Sequence, residues 1–136
     1  MSDSEVFLYF TLPSRDYVAA KTLIGDADLR GQQNLFEDCT GGLAIEGPGG
    51  PIFVDDDFEH VEAQLLNAAP GQLEAGESFG FDYRYEDGAR LEINVAGDEV
   101  TFDDGEGSEV TMPRAEAIAG LRRAAEELAR LRELVG

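Results

Sequence analysis

The sequence predicts an α+β fold: an antiparallel β-sheet, made of a meander over 78–111 plus N-terminal strands, with helices packed on one face and a C-terminal helix over 113–135. Three observations carry this. Between 79 and 103 apolar and polar side chains alternate between turn signals, the pattern of a half-buried antiparallel sheet. Beyond Pro113, residues Ile118, Leu121, Ala125, Leu128, Leu131 and Val135 recur at spacings of three and four, the stripe of an amphipathic helix. The 136 residues, 43% hydrophobic and 9% aromatic, suffice for a single domain over 1–136 with its own core.

Residues 5–12 read as a strand ended by Pro13, and the nearly continuous apolar run predicts cover on both faces. Ser14 then suits a helix cap, with Tyr17, Val18, Ala20, Leu23 and Ile24 on a short amphipathic helix stopped at Gly25. Residues 25–42 predict a polar loop with a helical turn near Leu35 and Phe36. Segments 43–46 and 52–54 flank Gly47-Pro48-Gly49-Gly50, a hairpin signal. Asp55-Asp56-Asp57 opens a helix in which Asp56 and Glu59 fit a capping box; Phe58, Val61, Leu65, Leu66 and Ala69 form its stripe and Pro70-Gly71 stops it.

The meander follows. Phe79, Phe81, Tyr83 and Tyr85 alternate with Gly80, Asp82 and Arg84, and Asp87-Gly88 turns the chain. Leu91, Ile93 and Val95 alternate with Glu92 and Asn94; after Gly97-Asp98, Val100 and Phe102 alternate with Thr101 and Asp103. Pro113 starts the last helix, whose exposed side offers the pairs Arg122/Glu126, Arg123/Glu127 and Glu126/Arg130.

Charge excludes more than it assigns. There are 29 acidic and 10 basic residues, a net of -19, and residues 1–113 alone carry -20 because the final helix is nearly neutral. Nucleic acid and anionic membranes repel such a body, whereas a basic protein surface attracts it. Lys21 is the only lysine against nine arginines, a skew that halophilic adaptation or codon usage would also produce. No apolar run is long enough for a membrane span, and the acidic residues 1–5 predict no secretory signal, so a cytoplasmic protein is expected.

With one histidine, His60, and one cysteine, Cys39, no catalytic or thiolate-metal constellation is expected, and no cofactor. On the predicted helix His60 points away from the apolar stripe, so it reads as a surface residue, and Cys39 as a small buried one. Asp26, Asp28, Gly31, Asn34 and Glu37 sit at the spacing of an EF-hand loop. Arg30 puts a cation where a ligand belongs and Gln33 replaces an apolar anchor, which favours an ordinary polar loop. Asp55-Asp56-Asp57 reads as helix capping, and Asp103-Asp104-Gly105-Glu106 as a solvated turn, before either reads as a cation site. The expected partner surface is the polar side of the meander with its acidic turns: Asp82, Arg84, Glu86, Asp87, Glu92, Asn94, Asp98, Glu99, Asp103 and Asp104.

The 78–111 meander, the Asp103-Asp104-Gly105-Glu106-Gly107 turn and the Val110-Thr111-Met112-Pro113 entry into an Arg/Glu/Leu helix resemble the small acidic immunity proteins encoded beside bacterial polymorphic toxins. The resemblance covers roughly the C-terminal half. It implies cytosolic neutralisation of a toxin, often a nuclease or another enzyme with a basic active site, and carries over no functional residues. A non-catalytic inhibitor of a basic toxin, monomeric or weakly dimeric, is the expectation. A phage protein that imitates nucleic acid to block a host defence complex, and a halophilic or regulatory domain without a toxin partner, are the alternatives.

Overall fold

The computed structural model describes residues 4–84 and 89–135. Strand β1 (Glu5–Thr11) turns Val6, Leu8 and Phe10 to the core, with Leu12 just beyond it. It lies centrally in a sheet of order β2-β1-β3-β4, all antiparallel, with β2 (Tyr17–Ala19), β3 (Thr40–Glu46) and β4 (Ile52–Asp55). Val6 pairs with Ile45 and Leu8 with Leu43, so the inner face is aliphatic. The helix expected from Ser14 is displaced by β2. Leu12 N–H donates to Asp16 O (2.9 Å) and Arg15 N–H to Leu12 O (2.7 Å), a tight turn with Arg15 at φ 75°. Ser14 Oγ donates to Asp16 Oδ2 inside that turn (3.0 Å) rather than capping a helix. Tyr17 and Val18 are therefore strand residues, and helix α1 begins only at Ala20 (Ala20–Gly25).

Short helices α2 (Ala27–Arg30) and α3 (Leu35–Asp38) carry the chain to β3. After β4 the expected single helix is broken. Helix α4 (Phe58–Val61) runs into a π turn (Glu62–Leu66), and a second helix, α5 (Ala69–Glu74), follows. Pro70 occupies the first turn of α5, where its missing N–H costs nothing, so Pro70-Gly71 opens a helix rather than ending one. The Asp56/Glu59 capping box does not form. Asp57 holds the N-cap position without a side-chain capping bond, and Asp56 Oδ1 accepts from Asp57 N–H (2.7 Å).

The meander forms a second antiparallel sheet, β5-β6-β7-β8, from β5 (Phe79–Asp82), β6 (Arg90–Ala96), β7 (Glu99–Asp103) and β8 (Glu109–Pro113). Phe81, Leu91, Ile93, Val100, Phe102, Val110 and Met112 are buried on its inner face. The antiparallel strands thus divide between two sheets, which share one continuous apolar core. Helix α6 (Arg114–Val135) packs on β1, α1 and α5 and touches β7 and β8. Its buried stripe is Ala117, Ile118, Gly120, Leu121, Ala124, Leu128 and Leu131. Gly120 allows the close approach: a Cβ there would lie 2.8 Å from Val6 Cβ. Its arginines reach other elements more than their own helix. Arg122 forks the Glu74 carboxylate of α5 (2.6 and 3.2 Å) and Arg132 bonds Glu62 (2.6 Å). Among the described residues no helix is long and apolar enough to cross a membrane.

Candidate functional site

The outer face of the N-terminal sheet follows from strand alternation. Because Val6, Leu8 and Phe10 face the core, Phe7 and Tyr9 face outward; because Ile52 and Val54 face inward, Phe53 and Asp55 face outward. Tyr9 faces this way and is still only 2% exposed. Its cover is aromatic. Tyr17 and Phe53 both meet the Tyr9 ring edge-on, at 5.8 and 5.4 Å, and stack on each other at 5.6 Å and 16°. Cover on both faces of β1 is thus achieved by side chains from the two edge strands. Tyr9 O–H donates to Asp55 Oδ2 (2.9 Å). Burial, and then the facing Asp55 carboxylate, push this hydroxyl far above the ordinary tyrosine range, so it stays a donor. Tyr17 is 67% and Phe53 44% exposed, the most exposed large hydrophobic side chains among the described residues.

Asp55 also lines a half-open cleft of about 440 Å³. Aromatic walls come from Phe36, Phe58 and Tyr83, and the acidic rim from Asp55, Asp56, Asp57 and Glu59. Phe10, Phe36 and Phe58 form one ring cluster beneath it, with Phe10 and Phe58 stacked at 4.5 Å. The cleft lies between the ends of the two sheets, since Asp55 ends β4 and Tyr83 follows β5. Arg84 holds two rim carboxylates: its N–H donates to Asp56 Oδ2 (2.8 Å) and its guanidinium to Asp57 Oδ2 (3.3 Å). Arg132 lies over Phe36 while held by Glu62. An acidic rim over aromatic walls suits a guanidinium or ammonium group. Cys39 is buried in the same wall, and burial, then Asp38, pushes its thiol pKa up, which leaves it a poor nucleophile.

The polar side of the meander exists and is internally wired. Arg90 bridges Asp82 (3.0 Å) and Glu92 (2.7 Å) and lies across Gly80. Thr101 and Thr111 share a hydroxyl bond (2.8 Å). Asp103 Oδ1 accepts from Gly105 N–H and Asp104 Oδ1 from Glu106 and Ser108 N–H, so both carboxylates build the turn they occupy. Asp98 faces Arg114 at 3.9 Å, and Asn94 and Glu99 are exposed. Arg84 leaves this group for the cleft. Tyr85, Glu86 and Asp87 lie outside the described residues. Arg90 was absent from the expected surface; its opposition to Asp82 across the β5–β6 pair is the signal that could have found it.

The EF-hand spacing has other uses. Asp26 caps α2 by accepting from Leu29 N–H (3.0 Å), and Asn34 N–H donates to Asp38 (3.1 Å). Arg30 donates to the carbonyls of Leu23 and Ile24, so it caps the end of α1. Among the described residues no three His, Cys, Asp or Glu side chains converge for an ion, and this includes Asp26, Asp28 and Glu37. His60 is half-buried rather than a free surface residue: Nε2 donates to the Asp82 carbonyl (2.8 Å) and the ring tilts on Phe81, tying α4 to β5.

The fold and these surfaces define a two-sheet α+β protein with acidic and aromatic faces. Comparison with protein-family models, curated proteins and solved structures returned no match to this chain.

Proposed function

We propose that the protein is a non-catalytic inhibitor that binds a basic protein, in the manner of the immunity proteins its C-terminal half resembles. The observation that carries this reading is the placement of charge. Residues 1–113 carry a net of -20, part of it on the outer face of the meander sheet and on the cleft rim, while the near-neutral α6 buries its apolar stripe in the core. A field of this size accelerates encounter with a cationic partner and repels nucleic acid. The polar meander face, with Asn94, Glu99 and the Asp82–Arg90–Glu92 bridge, and the acidic cleft are the contact regions. Arg90 interrupts the carboxylate row, which favours a protein partner over imitation of a phosphate backbone. The partner is a toxin enzyme whose basic active site the inhibitor covers.

The test is calorimetry of the purified chain against the basic protein encoded by the adjacent gene. A one-to-one complex of micromolar affinity or better, with loss of that protein's enzymatic activity, supports the reading. Absence of heat at about 50 mM salt, where attraction is least screened, overturns it.

A further inference from the structure

We propose that the outer aromatic face of the N-terminal sheet is a docking surface for arginine side chains of a basic partner. The inference rests on the inhibitor reading above and adds a place and a side-chain chemistry to it. Tyr17 and Phe53 come from opposite edges of the sheet, 67% and 44% exposed, and meet over the buried Tyr9 as a stacked pair of rings standing edge-on to it. Among the described residues the outward surfaces of Tyr17 and Phe53 stay open, as their exposures show.

Charge selects the occupant. A second copy of the chain brings another -19 to the same face and is repelled. A cationic partner is attracted, and a carboxylate stands beside the rings: Asp55 accepts from the Tyr9 hydroxyl. Between the two basic side chains, arginine fits better. Its guanidinium is planar and weakly hydrated, stacks on an aromatic face and offers a fork to a neighbouring carboxylate, whereas the lysine ammonium is a strongly hydrated point charge. Asp55 belongs both to this face and to the acidic cleft, so a guanidinium on the rings sits next to the carboxylates of the cleft rim.

The experiment uses the full chain and two probes of equal charge, an acetylated and amidated hexa-arginine peptide and its hexa-lysine counterpart. Affinities are measured for the wild type, for Tyr17→Ala/Phe53→Ala, and for Tyr17→Leu/Phe53→Leu. The leucine variant keeps an apolar cover on Tyr9 and removes the π faces together with the Tyr17 hydroxyl. The expected result is a hexa-arginine preference of about fivefold or more in the wild type, reduced to within about twofold in both variants, with hexa-lysine affinity little changed. Equal binding of the two peptides by the wild type, or an arginine preference that survives in the leucine variant, overturns the docking surface and leaves the inhibitor reading standing. If neither peptide binds, the docking surface falls, and the inhibitor reading is left to its own test against the adjacent-gene product. Dimerisation of the wild type that the leucine variant abolishes also overturns the proposal, because the face then serves a second copy.

Discussion

Gly120→Ala sets two opposing effects against each other on α6. In a helix interior, alanine is favoured over glycine by about 1 kcal/mol. The new Cβ, however, would stand 2.8 Å from Val6 Cβ and 3.2 Å from Val6 O. Carbon atoms pack best at about 3.5–4.0 Å, so the interface must open by most of an ångström. Neither Val6 atom escapes by a rotamer change, because one is the carbonyl of a central strand and the other is fixed to it. Overpacking of this kind costs about 1–3 kcal/mol, so the variant should lose up to about 2 kcal/mol despite the better helix former. For a chain of this size that lowers Tm by up to several degrees, at about 3 °C per kcal/mol. The assay is thermal and urea unfolding of Gly120→Ala, Val6→Ala and the double variant. Val6→Ala removes Cγ1 but keeps the Cβ and the carbonyl that the new methyl meets, so the double variant should keep most of the Gly120→Ala loss. A Gly120→Ala protein more stable than the wild type would mean that α6 stands off β1 and that the core description is wrong.

Leu128, fully buried on the same stripe, should cost about 2–5 kcal/mol on replacement by alanine, read by urea unfolding; a loss near zero would put the stripe against solvent. Burial is the main cause of the raised Glu127 carboxyl pKa, opposed by Arg123 and Lys21. A raised folded-state pKa stabilises fully below the unfolded value, and that contribution is lost as pH rises through the folded one. Glu127→Gln should therefore raise Tm at neutral pH, with the gain vanishing toward about pH 4; a gain confined to acid would contradict the assignment. Added salt should raise Tm from low ionic strength upward, because screening relieves the self-repulsion of a -19 chain more than it weakens its mostly exposed ion pairs; a falling Tm would show that the pairs dominate. Calcium should bind no tighter than about millimolar; a micromolar calorimetric site lost in Glu37→Gln would overturn the capping roles given to Asp26 and Arg30.

The meander was legible because Phe79, Phe81, Leu91, Ile93, Val100 and Phe102 alternate with polar residues between turn dipeptides, and local pattern sets their faces. The α6 stripe was legible for the same reason at helical period. β2 was not. Tyr17, Val18 and Ala20 suit a helix stripe as well as a strand, and what decides is distant: the turn at Arg15 and the rings of Tyr9 and Phe53. Pro70 marked a boundary correctly and gave its sense wrongly, since proline is as much at home in a first turn as after a last one. Division into two sheets was hidden because alternation gives each strand a face and names no partner. The cleft was hidden because Phe36, Asp55–57, Tyr83 and Arg132 come from separate segments. Its carboxylates were visible as a run, but the helix that follows offered them a simpler use.

The central claim is that a basic partner binds the acidic body through particular faces, and the most direct measurement is association kinetics with the adjacent-gene product at about 50 and 300 mM salt. Two charge-reversal pairs change the net charge equally. Glu99→Lys/Glu109→Lys lies on the meander sheet, and Glu116→Lys/Glu126→Lys on the exposed side of α6. The account predicts that the meander pair slows association at least about tenfold at low salt, that the helix pair slows it by less than about threefold, and that high salt narrows the difference. Equal slowing by both pairs, or a larger effect from the helix pair, would contradict it.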